Sequence, residues 1–269
     1  MAERSNRELW QRIASGLALA AIVVADAVAG GWSFSILVAV VAALMALEWG
    51  RLAARRHGRA DLVASLAVPT TLAAVAGILL GKLVAGWLGL AAVATAAILL
   101  AGLARLRGWP AGWFGFGVLY VGIAPTMLVW LRNATEDGLV FVLFLFAAVW
   151  AADTAAFFAG RAIGGPKLAP QWSPNKTWAG FAGGIVAAAV VGVVMAEAFA
   201  LPFLAGSALL GAALGAVAQF GDLFESWIKR RAGAKHSGRL IPGHGGVLDR
   251  LDGLIFATPV FALFAMLHP

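Results

Sequence analysis

Residues 138–160, GLVFVLFLFAAVWAADTAAFFAG, contain one ionisable side chain, Asp153. An apolar helix of this length crosses the roughly 30 Å hydrocarbon core of a bilayer. Working outward, eight further apolar stretches of similar length lie at roughly 13–31, 33–51, 62–81, 84–104, 112–131, 179–200, 203–225 and 251–268. The composition agrees. Across 269 residues, 62% are hydrophobic and 12% charged, with a mean hydropathy of +0.89, whereas soluble domains carry about 25% charged residues. The expected fold class is therefore all-α, a polytopic integral membrane protein with about nine transmembrane helices. It divides into an N-terminal part, 1–135, with about five spans, and a C-terminal part, 136–269, whose loops carry the chemistry.

The positive charges set the orientation. Arg4, Arg7 and Arg12 precede the first span; Arg51, Arg55, Arg56 and Arg59 follow the second; Arg105 and Arg107 follow the fourth. Arg161, Lys167 and Lys176 follow the sixth, and Lys229, Arg230, Arg231, Lys235, Arg239 and Arg250 follow the eighth. Of the 20 basic residues, the odd-numbered loops hold Lys82 and Arg132. Cytoplasmic loops collect Lys and Arg, so the N-terminus is expected in the cytoplasm. A net charge of +7 thus reflects topology, and no nucleic acid partner is implied. Ala27-Val28-Ala29 after three arginines also has the look of a signal-peptide cleavage site, but the apolar stretch is long for one, and retention is expected.

With no cysteine, thiolate metal sites, disulfides and thiol nucleophiles are excluded. His57, His236, His244 and His268 lack zinc-ligand spacing, so a metal must be a hard cation held by oxygen. The 13 acidic residues are informative because a carboxylate in a span is costly and usually marks a site or a pair. Glu48 is read as a helix-end partner of Arg51. The others that matter cluster late: Asp153, Asp222, Glu225, Asp249 and Asp252. Asp222, Glu225, Ser226 and Lys229 stand at i, i+3, i+4 and i+7, so a helix places them on one face. Asp249 and Asp252 lie three apart at the start of the last span, where the helix dipole favours negative charge. Two such edges suit Mg²⁺ or Mn²⁺ on a nucleotide phosphate. Between them runs Lys229-Arg230-Arg231, then Lys235, Arg239 and Pro242-Gly243-His244-Gly245-Gly246, whose glycines let backbone N–H groups approach phosphate. A second polar island, Ser173-Pro174-Asn175-Lys176-Thr177 between Trp172 and Trp178, suits either an interfacial loop or a substrate contact.

Ser226-Trp227-Ile228-Lys229-Arg230, Lys235 and Pro242-Gly243-His244-Gly245-Gly246-Val247-Leu248-Asp249-Arg250-Leu251-Asp252 closely resemble the signature of phosphatidate cytidylyltransferases. Similarity extends to Gly221-Asp222-Leu223-Phe224-Glu225, to Asp153-Thr154, to Ser173–Trp178 and loosely to Glu48-Trp49. The resemblance implies an all-helical inner-membrane enzyme with a cytoplasm-facing site. That enzyme transfers the cytidylyl group of CTP to phosphatidic acid, giving CDP-diacylglycerol and pyrophosphate for phospholipid synthesis. The resemblance implies Asp222 and Asp249 as ligands of Mg²⁺ or Mn²⁺, with room for a second cation, and on the spacing argument Glu225 and Asp252 stand in support. Lys229, Lys235, Arg230 and Arg250 neutralise phosphate, Ser173, Lys176 and Ser226 line the site, and His244, Gly245 and Gly246 seat phosphate. A homodimer surrounded by membrane lipid is also implied. Two positions depart from the family pattern: His236 stands where an aspartate is usual, and Ala179 where a glutamate is usual. The rival readings are another lipid nucleotidyl- or phosphotransferase, an organic-anion transporter, and a catalytically degenerate paralogue.

Overall fold

The computed structural model describes residues 2–134, 136–201, 203–238, 240 and 245–267. The side chains of Arg4, Arg7 and Arg12, and the whole of Arg239, Pro242, Gly243, His244 and His268, lie outside the described residues. The elements run α1 (Ala2–Ala29), α2 (Gly31–His57), α3 (Leu62–Leu83), α4 (Gly86–Leu106), α5 (Ala111–Ala134), α6 (Gly138–Ile163), β1 (Lys167–Ala169), β2 (Ser173–Thr177), α7 (Trp178–Ala198), α8 (Leu204–Arg231) and α9 (Leu248–Leu267). Among the described residues, the eight helices α2 to α9 are long and apolar enough to cross a bilayer, and α1 adds a shorter apolar stretch, Gly16–Ala29. The chain is a polytopic all-α membrane protein.

Each apolar stretch of the sequence corresponds to one helix, and on their charged sides several helices run past the apolar limit. α8 continues through Lys229-Arg230-Arg231, and α9 begins at Leu248. The i→i−4 hydrogen bonds that make a helix need no hydrocarbon, so the ladder extends into the charged flanks until a terminator intervenes. At the end of α2 that terminator is Gly58, left-handed at φ 65°, whose N–H donates to Ala54 O. The polar island at Ser173–Thr177 is a strand, forming an antiparallel hairpin with Lys167–Ala169 that pairs Lys167 with Thr177 and Ala169 with Ser173.

The chain forms two compact units. One comprises residues 1–133 with 236–250, the other 134–235 with 251–269. In the first, Trp49 of α2 is buried against α5, donating Nε1–H to Trp113 O at 2.9 Å and packing on Tyr120. Ala73, Val93, Ala97 and Val118 join α3, α4 and α5 in a dry cluster. Lys82 and Arg132 are turned onto backbone carbonyls: Lys82 Nζ meets Gly31 O at 2.6 Å and Arg132 Nε meets Ala27 O at 2.6 Å.

In the second unit, the buried positions of α7 are Gly180, Gly184, Ala188, Gly192 and Ala196, all small and four apart. Close backbone approach replaces side-chain interdigitation there, as lipid-embedded helices favour. A side chain at Gly211 of α8 would strike the Ala188 carbonyl, and one at Gly192 would strike Ser207 O. This close packing of α6, α7 and α8 places the charged end of α8 beside the hairpin.

Candidate active site

Thr177 ends the hairpin and starts α7. Its extended backbone leaves the side chain free to cap, and its Oγ1 accepts from Gly180 N–H at 3.1 Å. One residue before it, Lys176 points to α8, where its Nζ lies 2.5 Å from Asp222 Oδ2 and 3.4 Å from Gln219 O. Along the same face of α8, Ser226 Oγ donates to Asp222 Oδ1 at 3.4 Å, and Lys229 Nζ reaches Glu225 Oε2 at 2.7 Å. The Lys229–Glu225 pair is almost dry, with side chains 11% and 1% exposed. Gly221 permits a close crossing of α8 and α9, because a Cβ there would meet the Asp252 carbonyl. Asp252 consequently feels the charges of Asp222, Glu225 and Asp153, while its Oδ1 accepts from Gly253 N–H at 2.8 Å. Carboxylates from α6, α8 and α9 thus share one neighbourhood with two lysines. Like charges crowded in a membrane helix bundle are expensive, and retaining them is the mark of a site.

Three further cations follow along the chain. Arg230 Nε makes a long contact to Trp172 O at 3.4 Å, Arg231 stacks over the Trp227 ring at 4.6 Å, and Lys235 is exposed. Ser173 sits on β2 paired with Ala169. Ala179 is half-buried in the first turn of α7.

The first unit holds the remaining candidates, in the stretch leading into α9. Asp249 Oδ2 accepts from Ser237 N–H at 3.1 Å and Gly246 N–H at 2.9 Å, with His236 Nδ1 3.7 Å away. Gly245 has φ +87°, a left-handed conformation that other residues rarely adopt. Arg250 is exposed. The described contacts of Asp249 are therefore those of a turn organiser, in addition to any role toward a ligand.

Glu48 is the residue whose place the sequence reading missed. Arg51 is exposed, whereas Glu48 is buried at 1% exposure. It accepts from Ser237 Oγ at 2.9 Å, Val247 N–H at 3.0 Å and Leu248 N–H at 2.9 Å. The available signal was its cost: a carboxylate nine residues inside the end of an apolar helix needs strong partners.

The chain matches the model of the cytidylyltransferase family over residues 10–268. It is 42% identical over 264 residues to the phosphatidate cytidylyltransferase of Brucella suis biovar 1 (strain 1330), a match covering 95% of this chain and 93% of that one. The chain belongs to this family. Shorter matches reach the phosphatidate cytidylyltransferases of Haemophilus influenzae, 42% identical over 160 residues (56% of this chain, 55% of that one), and Bacillus subtilis (strain 168), 37% over 159 residues (57% and 59%). As a family member it is a nucleotidyltransferase of phospholipid biosynthesis. The region matched by the family model spans both the acidic cluster and the turn around Asp249.

Proposed function

We propose that the protein transfers the cytidylyl group of CTP to phosphatidic acid, forming CDP-diacylglycerol and pyrophosphate at the cytoplasmic face of the cell membrane. The observation that carries this reading is the grouping of Asp153, Asp222, Glu225 and Asp252 from α6, α8 and α9 with Lys176 of β2 and Lys229 of α8, in a chain of this family. The basic even-numbered loops support the cytoplasmic orientation.

A phosphate oxygen of phosphatidic acid attacks the α-phosphorus of CTP; that P–O bond forms as the α–β bridging bond breaks and pyrophosphate leaves. A phosphate monoester has a second pKa of about 6 and is largely dianionic near neutral pH, so no strong base is needed. Catalysis consists of positioning and charge neutralisation. Lys176, released from Asp222 by an incoming anion, and Lys229, Arg230, Lys235 and Arg250 neutralise phosphate oxygens. Ser173 and Ser226 orient them, and the Gly245-Gly246 turn, with no side chain in the way, seats them. The diacyl chains stay in the bilayer while the headgroup reaches the nucleotide.

The all-oxygen donor set fits Mg²⁺ or Mn²⁺. Such an ion takes one or two carboxylates and completes its shell with water and phosphate oxygens. In the acidic cluster Asp222 would hold it, with Glu225 and Asp252 in support, Asp249 is the candidate ligand in the turn before α9, and the ion would spread the negative charge of the triphosphate.

The test is purified protein in detergent with radiolabelled CTP, phosphatidic acid and Mg²⁺, beside Asp222→Asn. Label moving into the lipid phase, with pyrophosphate released and both lost in the variant, is the expected result. No labelled lipid from folded protein would overturn the reading and turn attention to His236 and Ala179.

A further inference from the structure

We infer that Glu48 of α2 is a positioning residue for the reaction, fixing the turn that carries Asp249 and Gly246 by acting as a remote cap for α9. The inference rests on the reading of that turn as part of the active site. α9 begins at Leu248, and the preceding residue, Val247, has no side-chain acceptor, although the first N–H groups of a helix require one. Glu48 supplies it from a different helix, taking both Val247 N–H and Leu248 N–H where the helix dipole favours a negative charge. The turn is shaped around this carboxylate. A Cβ at Gly238 or Gly246 would collide with Glu48 oxygens, so the absence of a side chain at each lets the backbone close over it.

Ser237 links the anchor to the site. Its hydroxyl donates to Glu48 Oε2 at 2.9 Å, while its N–H donates to Asp249 Oδ2 at 3.1 Å. The Asp249 oxygen also holds Gly246 N–H. Displacing the Glu48 carboxylate therefore moves Ser237 and Gly246, and through them the orientation of Asp249. Glu48 touches neither substrate nor metal in this scheme; it acts through the turn.

Glu48→Gln preserves size but turns an amide N–H₂ toward groups that are themselves donors. The expected result is a fall in kcat/KM for CTP on the order of 10- to 100-fold at an unchanged fraction of folded protein, matching loss of a charge-assisted buried hydrogen bond. Ser237→Ala, which removes one donor, should cost roughly 3- to 10-fold, and the two losses should combine less than multiplicatively because they share one chain of contacts. If Glu48→Gln fails to fold, Ser237→Ala alone carries the test. A purely structural anchor would lower the unfolding temperature and leave kcat and KM per folded molecule unchanged, and that outcome overturns the inference. Asp222→Asn run in parallel separates the two levels. Loss there with normal kinetics in Glu48→Gln and Ser237→Ala sinks the positioning role alone, whereas no labelled lipid from folded wild-type protein sinks the proposed reaction.

Discussion

The contact between Lys176 and Asp222 joins the hairpin to the end of α8, and its strength can be worked from the structure. The atoms are 2.5 Å apart and the side chains 23% and 34% exposed. A shielded charge-assisted hydrogen bond contributes about 1.5–3 kcal/mol and an exposed ion pair about 0–1 kcal/mol, so this intermediate pair should contribute roughly 1–2 kcal/mol. Lys176→Met, Asp222→Asn and the double variant form a cycle that isolates the term, read by thermal unfolding in detergent. The coupling should equal that 1–2 kcal/mol, a factor of roughly 5 to 30 in the equilibrium. It should diminish at high salt, because a partly exposed pair is partly screened. Lys176→Met should also weaken CTP use, since the acids of α6, α8 and α9 would then be balanced by one lysine fewer. Additivity within about 0.3 kcal/mol would refute the reasoning: the hairpin would then be held by its own strands and by the Thr177 cap, and Lys176 would be free of Asp222 in solution.

Thr177→Ala removes the acceptor for Gly180 N–H and should cost about 1 kcal/mol of stability, measured by the same unfolding assay. Gly211→Val drives a branched side chain into the Ala188 backbone, which cannot move aside as a side chain would; a loss of about 1–3 kcal/mol or more is expected, with lower yield of folded protein. The absence of native cysteine makes orientation directly readable. In sealed right-side-out vesicles, an impermeant maleimide should label Glu136→Cys at once and Arg59→Cys only after permeabilisation, and the reverse order would invert the proposed topology.

The helices were legible because the bilayer imposes one demand on every span, a length of apolar residues with its backbone satisfied internally. The face shared by Asp222, Glu225, Ser226 and Lys229 was legible for a related reason: its residues are close in sequence, and helical periodicity alone brings them together. The hairpin was not. Lys167-Leu168-Ala169 and Ser173–Thr177 are too short and too polar for a period to register, and their pairing depends on a turn between them. The helix ends were misplaced because charge marks the edge of the hydrocarbon and not the edge of the hydrogen-bond ladder.

Glu48 marks where local reasoning fails. Arg51 lies one turn away and makes an ion pair the obvious reading, yet the acceptor sites of Glu48 are filled by donors 189, 199 and 200 residues distant. Such contacts carry no spacing signal. What the sequence does display is one unmet need, a carboxylate inside an apolar helix; the other, a helix start at Val247-Leu248 with no capping side chain before it, emerges only with the structure. Each is a deficit that burial would punish by one to several kcal/mol. The fold pairs them, so that the cost of burying Glu48 and the cost of leaving α9 uncapped offset one another. A turn built from two such deficits holds its geometry only while both partners are present. This is why a substitution at Glu48, far along the chain from Asp249, should be read in turnover as well as in stability.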